Sequence, residues 1–340
     1  MGKMKISIII PVYNVESYIS DCLKSVMSQT YQGELECILV DDCGTDNSIS
    51  IEEEFISNYK GSIEFKFLHH HKNRGLSAAR NTGMAAATGD YIYFLDSDDT
   101  LSSDCLESLT APLKNCDYDL IVGDFRMVCD GKILPPYSMN LQLSNGTILK
   151  NEEIIKSYRK MWNMMAQNKL YKTSFVRANQ LEFKEALIHE DELWSFEVAC
   201  MAKSLYAVNK VTYYYLKRNS GITGSESKGN RYKMLSEVVR EMGDFVKKKG
   251  VYNKAIHLRI NSFFFRVLNN YSISQSEYVK VYKYMYSRTR PSVSQLIRAI
   301  GWDIRWYLMD IHYLLPERIA PYWMYYTISK PLSYLGILKK

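Results

Sequence analysis

Carboxylates crowd the stretch Gly89–Asp99, GDYIYFLDSDD. Asp96, Asp98 and Asp99 follow a short apolar run, with Ser97 between the first two. Like charges at the tip of an apolar strand repel, and the arrangement is costly unless a cation or hydrogen-bond donors share it. The spacing suits a divalent cation on oxygen ligands. It also suits an acidic turn that caps a helix, since Asp99, Thr100 and Ser102 are capping types. Asp41 and Asp42 close another apolar run, where they either meet a ligand or cap the next helix. His189–Glu192 (HEDE) opens a helical stretch, a place where the helix dipole alone favours carboxylates. Lys217, Arg218, Ser220 and Thr223 form a flexible polar segment, which by itself reads as a solvated linker. His69-His70-His71 looks like a ligand set, but neighbours in a strand point to opposite faces, so strand-end filler is the expectation.

The elements that must position these groups follow from the apolar pattern. Ile6–Ile10 is β-branched, ends at Pro11, and reads as a strand buried on both faces. A helix over about 16–29 has Ile19, Leu23, Val26 and Met27 on one face. Leu35–Asp42 is a second strand, a helix runs through Phe55, and Ile63–Leu68 is a third strand. An Ala-rich helix then leads to the strand Tyr91–Leu95. Alternating strands and helices predict a doubly wound, mostly parallel sheet. Ligands bind beyond the carboxyl ends of such strands, where Pro11–Asn14, Asp41–Asp42 and Asp96–Asp99 all fall. Later, Leu120–Met127 and Val208–Leu216 read as strands, and Trp162–Tyr171 as a crossing back to the sheet. His189–Ala202 reads as an amphipathic helix.

Length suggests two domains, with a small, polar boundary at Gly224–Asn230. Beyond it the pattern is helical, over about 231–249, 252–270, 275–287, 292–315 and 317–330. Charge divides the same way: residues 226–340 hold 20 Lys and Arg against 8 Asp and Glu, leaving 23 against 29 in residues 1–225. An apolar stripe runs through Leu296, Ile300, Ile304, Leu308, Ile311 and Leu315. Arg298, Trp302, Arg305, Met309 and His312 lie on another face. Aromatic and basic residues mixed on amphipathic helices suit an anionic membrane surface, or else a bundle with a solvated basic face. No nucleic-acid motif is present. Seven scattered cysteines without close pairs argue for a reducing compartment. Met1–Lys5 leads straight into a strand, and no apolar run reaches the ~18–20 residues of a membrane span.

Six segments stand in a telling order: PVYN (Pro11–Asn14), VDDCGTDNS (Val40–Ser48), NRGLSAARN (Asn73–Asn81), GDYIYFLDSDD, NKLY (Asn168–Tyr171) and HEDE. Together they resemble a family 2 glycosyltransferase of the bacterial polysaccharide-assembling kind, over roughly residues 5–225. The resemblance implies a GT-A fold, a Rossmann-like α/β catalytic domain over residues 1–225. A helical domain over 226–340 then serves the membrane surface, the acceptor or a partner. It implies a nucleotide-sugar donor, with UDP the commonest nucleotide. Pro11, Val12 and Tyr13 would wall the nucleoside and Asp41 would accept a hydrogen bond from base or ribose. Asn73 would approach the donor, and Ser77 would open a helix whose N-terminus favours the diphosphate. Arg80, a turn further on, either joins them or pairs with a carboxylate near the sheet. Asp96, beside Ser97, would face the ribose or a metal-bound water, and Asp98 would bind Mn2+ or Mg2+. Asp99 is then a cap. Asp191 matches the catalytic base, with Glu190 its rival, for inversion by single displacement. Arg218 belongs to a segment that closes on the diphosphate. Cys43-Gly44 departs from the usual Gly-Ser, which puts that turn's geometry in question.

The reading is an inverting, metal-dependent enzyme on the cytoplasmic face of the inner membrane, acting on a glycan or polyprenyl-diphosphate-linked saccharide. Arg305-Trp306 resembles the Arg-Trp pair of processive synthases but lacks the preceding Gln, so one sugar per acceptor is expected. Two alternatives are a catalytically silent GT-A module that binds a nucleotide sugar or partner, and a sugar nucleotidyltransferase. The first predicts loss of an acidic motif. The second predicts a Gly-rich basic loop after the first strand, and PVYN is not one.

Overall fold

In this computed structural model, residues 3–114, 116–218, 231–269, 274–300 and 310–331 are described, with 297–300 described for backbone alone. The first strand, β1 (Lys5–Val12), is buried along nearly all its length, which is why it is apolar on both faces. It lies between β2 (Glu34–Asp41) and β4 (Tyr91–Phe94), parallel to both, and β3 (Glu64–His69) pairs with β2 at the edge. Pro11 does not end β1 as expected: Pro11 pairs with Val40 and Val12 with Asp41. Ile9 O accepts from Leu95 N on the β4 side, while Val12 O accepts from Asp42 N on the β2 side. By alternation the missing N–H of Pro11 faces β4, which has already ended, so no ladder bond is lost.

Helices α1 (Ile19–Met27), α2 (Ser48–Asn58) and α3 (Leu76–Ala86) make the crossovers. The last sits hard on β1 at Gly83, where a Cβ would collide with Ile9. After β4 come β5 (Thr100–Leu101), α4 (Cys105–Thr110), β6 (Leu120–Cys129), β7 (Lys132–Ile133), β8 (Ile148–Lys150) and α5 (Glu152–Ser157). Then follow β9 (Lys169–Lys172), α6 (Thr173–Ala178), α7 (Glu190–Met201) and β10 (Ser204–Leu216). The sheet order is β3-β2-β1-β4-β9-β6-β10-β5, with β7 on β6 and β8 on β10. The sheet is mostly parallel, but β9 runs antiparallel between β4 and β6.

The expected amphipathic helix is instead buried all round from Glu192 to Ala199. Trp194 stacks on Phe183 at 4.2 Å and meets the rings of Phe94 and Tyr171 edge-on. On another side, Tyr158, just after α5, donates its hydroxyl to Glu192 O at 2.9 Å. Helix α7 is thus held by aromatic packing with its first turn, Glu190–Glu192, at the top of the sheet.

The chain divides into two compact units, residues 1–186 with 190–224, and residues 187–189 with 225–340. The second is helical over Arg231–Lys249, Lys254–Asn269, Gln275–Thr289, Val293–Ile300, 310–314 and Ala320–Met324, continuing as a π-helical turn over Tyr325–Ser329. The expected boundary Gly224–Asn230, Ser220, Thr223, and Trp302, Ile304, Arg305, Trp306, Leu308 and Met309 of the expected helix over about 292–315 lie outside the described residues. His312, grouped by the sequence pattern on another face than the apolar stripe, is fully buried among Phe264, Tyr282 and Tyr313 and shares a 2.6 Å hydrogen bond with Tyr282. Burial lowers its pKa to about 3, so it packs as a neutral ring. Among the described residues, no helix is long and apolar enough to cross a membrane.

Candidate active site

The carboxyl ends of β1 and β2 are tied by side chains. Pro11 is buried and Val12 is core, so what they offer the surface is backbone; Tyr13, 47% exposed, offers its ring. Asn14, at φ 52°, accepts from Thr45 N at 2.8 Å. Asp41 accepts from Gly44 N at 3.1 Å and its other oxygen lies 3.3 Å from His69 Nδ1. Between them Cys43 takes φ 61°, the conformation a glycine adopts without strain. Asp42 is buried and does not cap α2. It accepts from Arg74 N at 2.8 Å and Gly75 N at 2.7 Å, fixing the loop before α3. His70 is not filler: its Nδ1 lies 2.6 Å from Asp42 Oδ1 and its Nε2 2.9 Å from Thr82 Oγ1. The three histidines do not converge, because His69 and His70 serve different aspartates. Asn73 is exposed at the loop tip, and Ser77, in the first turn of α3, is buried.

The acidic turn after β4 has carboxylate oxygens of Asp96, Asp98 and Asp99 within 4.8 Å of one another. Asp99 caps no helix, since β5 follows it. It is buried, accepting from Tyr213 OH at 2.5 Å and Leu216 N at 2.7 Å, and so clamps β10. Asp96 accepts from Arg80 Nη2 at 2.9 Å and from Gln167 Nε2. Asp98 lies 2.7 Å from Arg218 Nη2, whose guanidinium sits 4.9 Å from the centre of the Tyr18 ring. Ser97 is buried between them. Burial, then the charge of Asp96, pushes Asp98 up to about 6 against the pull of Arg218. Burial, with Asp98 and Asp96 nearby, holds Asp99 well above the usual carboxylate range. An all-oxygen donor set suits a hard divalent cation. Arg218 supports the fit, a positive group resting on the carboxylate proposed for the metal.

Arg80 joins this cluster to α7. Its side chain is 1% exposed, and its second nitrogen donates to Glu190 Oε1 at 2.8 Å. Its guanidinium also lies 5.1 Å from the centre of the Phe183 ring. Asp191, next in the helix, accepts from Glu192 N at 2.8 Å. Desolvation, with Glu190 and Glu192 on either side, holds Asp191 well above the usual carboxylate range against the pull of Arg80. A carboxylate so placed is a stronger base than a solvated one. Glu192 itself turns to Arg159 and Tyr158.

Gln167, Tyr213 and Lys169 escaped the sequence reading. Gln167 and Tyr213 reach the acidic turn from 71 and 114 residues away, with no local pattern to mark them. Lys169 lay in view within NKLY; it is buried, which lowers its pKa to about 7.

Residues 7–179 match the family model described as Glycosyl transferase family 2. TarP of Staphylococcus aureus, a poly(ribitol-phosphate) β-N-acetylglucosaminyltransferase, is 30% identical over 236 residues, 67% of this chain and 68% of TarP. The glycosyltransferase GlyA of Streptococcus pneumoniae is 31% identical over 226 residues, 64% of this chain but 31% of GlyA. The crystal structure of S. aureus TarS 1–349 with UDP-GlcNAc superposes with a TM-score of 0.59 at 22% identity, covering 93% of this chain and 83% of that one. The mannosyltransferase PcManGT of Pyrobaculum calidifontis, solved with GDP-Man and Mn2+, gives 0.53 at 13% identity, covering 99% and 88%. This chain belongs to glycosyl transferase family 2 and carries its GT-A fold.

Proposed function

We propose that the chain transfers one sugar from a nucleoside-diphosphate sugar, of the uridine kind, to a hydroxyl of a glycan or lipid-linked saccharide, with inversion. The observation that carries this is Arg80, which bonds Asp96 on one side and Glu190, beside Asp191, on the other. One cation thus sets the donor carboxylates against the candidate base. The acceptor oxygen attacks the anomeric carbon as Asp191 takes its proton, and the anomeric C–O bond breaks with its electron pair leaving on the diphosphate. Asp98, with Asp96, would hold a divalent cation whose charge offsets that of the departing diphosphate. Tyr13 and Asp41 would face the nucleoside, and Asn73, Ser77 and Arg218 the diphosphate. The names of TarP and TarS, and the UDP-GlcNAc bound to TarS, support a UDP-sugar donor and cell-surface polymer assembly. PcManGT with Mn2+ supports the cation. The place of work proposed is the cytoplasmic face of the inner membrane, with the basic helical unit at the lipid surface.

The test is hydrolysis and transfer with a panel of nucleotide sugars, with and without Mn2+. Turnover that needs the cation and is lost in Asp98→Ala and Asp191→Ala is expected. Turnover in neither parent nor variants, while a nucleotide still binds, would favour the silent binding module.

A further inference from the structure

Lys169 opens β9 and is 2% exposed. Its ammonium donates to Asn163 Oδ1 at 2.8 Å, to Met165 O, and to Gln167 O at 3.3 Å. These three oxygens belong to the loop just before it. The rest of that loop is equally determined. Met164 O accepts from Ser195 Oγ of α7 at 2.7 Å, and Ala166 O from Tyr171 OH at 2.8 Å. Asn168 O accepts from Gly123 N at 3.1 Å. Every carbonyl from Met164 to Asn168 is therefore claimed by a donor. The residue this loop delivers is Gln167, whose amide bonds Asp96.

Burying an ammonium is costly, and an apolar side chain would fill the same core space without that cost. What an apolar side chain lacks is the ability to draw three oxygens to one point. We propose that Lys169 is a positioning residue, its buried ammonium holding residues 163–168 in the shape that sets Gln167 on Asp96. This rests on reading Asp96 as part of the donor site. The effect on donor binding passes through Gln167, while the contact from Ser195 to Met164 ties the same loop to the helix of the candidate base.

Two readouts test it in the full chain. With selectively 15N-labelled glutamine, the Gln167 side-chain amide is identified by its loss in Gln167→Leu and is protected from solvent exchange in the parent. Protection in Lys169→Met should fall about tenfold or more, with the melting transition retained. Unchanged protection overturns the proposal, whatever the substrate is. Calorimetric titration of UDP with Mn2+ is the second readout. Lys169→Met and Gln167→Leu should each bind roughly tenfold more weakly, the scale of one charge-assisted hydrogen bond. The double variant should bind no more weakly than the worse single one. Multiplying losses overturn the route through Gln167. Should Lys169→Met fail to fold, Asn163→Ala removes one of the three acceptors and must shift both readouts in the same direction. If no nucleotide binds the parent while Gln167 protection still follows Lys169, the donor-site reading falls and the positioning role stands.

Discussion

Replacing Arg80 by methionine removes a group that bonds both Asp96 and Glu190. The guanidinium is 1% exposed, and the carboxylates are 21% and 14% exposed. Removing one partner of a buried ion pair costs about 3–5 kcal/mol, mostly because the other charge is left behind. Here water reaches part of each carboxylate, and methionine keeps much of the packing against Phe183. The expected loss is therefore at the lower end, about 3 kcal/mol at pH 8. Urea unfolding at pH 8, followed by the fluorescence of buried Trp194, measures the loss. A loss under about 1 kcal/mol would refute the reasoning.

Arg218→Met should tighten Mn2+ binding to the nucleotide-free chain at pH 8 by roughly fivefold, because the ion pair on Asp98 no longer has to be broken. Weaker or equal binding in a Mn2+ titration counts against Arg218 as the occupant. Glu52 is fully buried on α2, neither of its oxygens has a hydrogen-bond partner among the described residues, and burial pushes its pKa up to about 8. Its folded value exceeds its unfolded one, so the chain should lose stability as pH rises from about 4.5 to 8. Glu52→Gln should recover on the order of 3–5 kcal/mol at pH 9 and little at pH 5, and an equal gain at both would remove the ionisation argument. Cys43→Gly relieves the left-handed turn after Asp41 and should raise stability by roughly 0.5–1 kcal/mol; a lowered melting temperature contradicts the strain.

What could be read from the sequence was local. The run Ile6–Ile10 and the aspartates that follow β2 and β4 are recognisable because an apolar strand and its polar tip are contiguous. The groups that satisfy those aspartates are not contiguous with them. Arg80 reaches Asp96 from 16 residues away, Gln167 from 71, and Tyr213 reaches Asp99 from 114. Asp99 was misread for this reason: its type suits a cap, and only the pairing of β10 with β6 and β5 brings Tyr213 to it. His70 was misread because strand alternation predicts divergence but says nothing of what each side chain meets. The burial of α7 on all sides escaped notice because its covering residues, Phe94, Phe183 and Tyr158, come from three separate elements. The Cys43 turn was foreseen as unusual, since a glycine displaced by one place leaves the positive φ to a side chain.

The place of β9 has a consequence in time. Its residues come nearly 80 positions after β4 begins, yet it fills the gap between β4 and β6. A chain emerging from the ribosome has β1 to β4 complete while one edge of β4 still lacks its neighbour. Pairing of such distant segments is slow, because loop closure precedes the contacts that reward it. Gln167 arrives with β9, and the clamp of Tyr213 on Asp99 arrives later still with β10. Arg80, on α3, is the donor made before the acidic turn; Gln167 and Tyr213 come only after most of the catalytic unit has been made. Until then Asp98 and Asp99 stand without their late partners, Arg218 and Tyr213, at the end of an unfinished sheet, and the last pairings to form are those that complete the site.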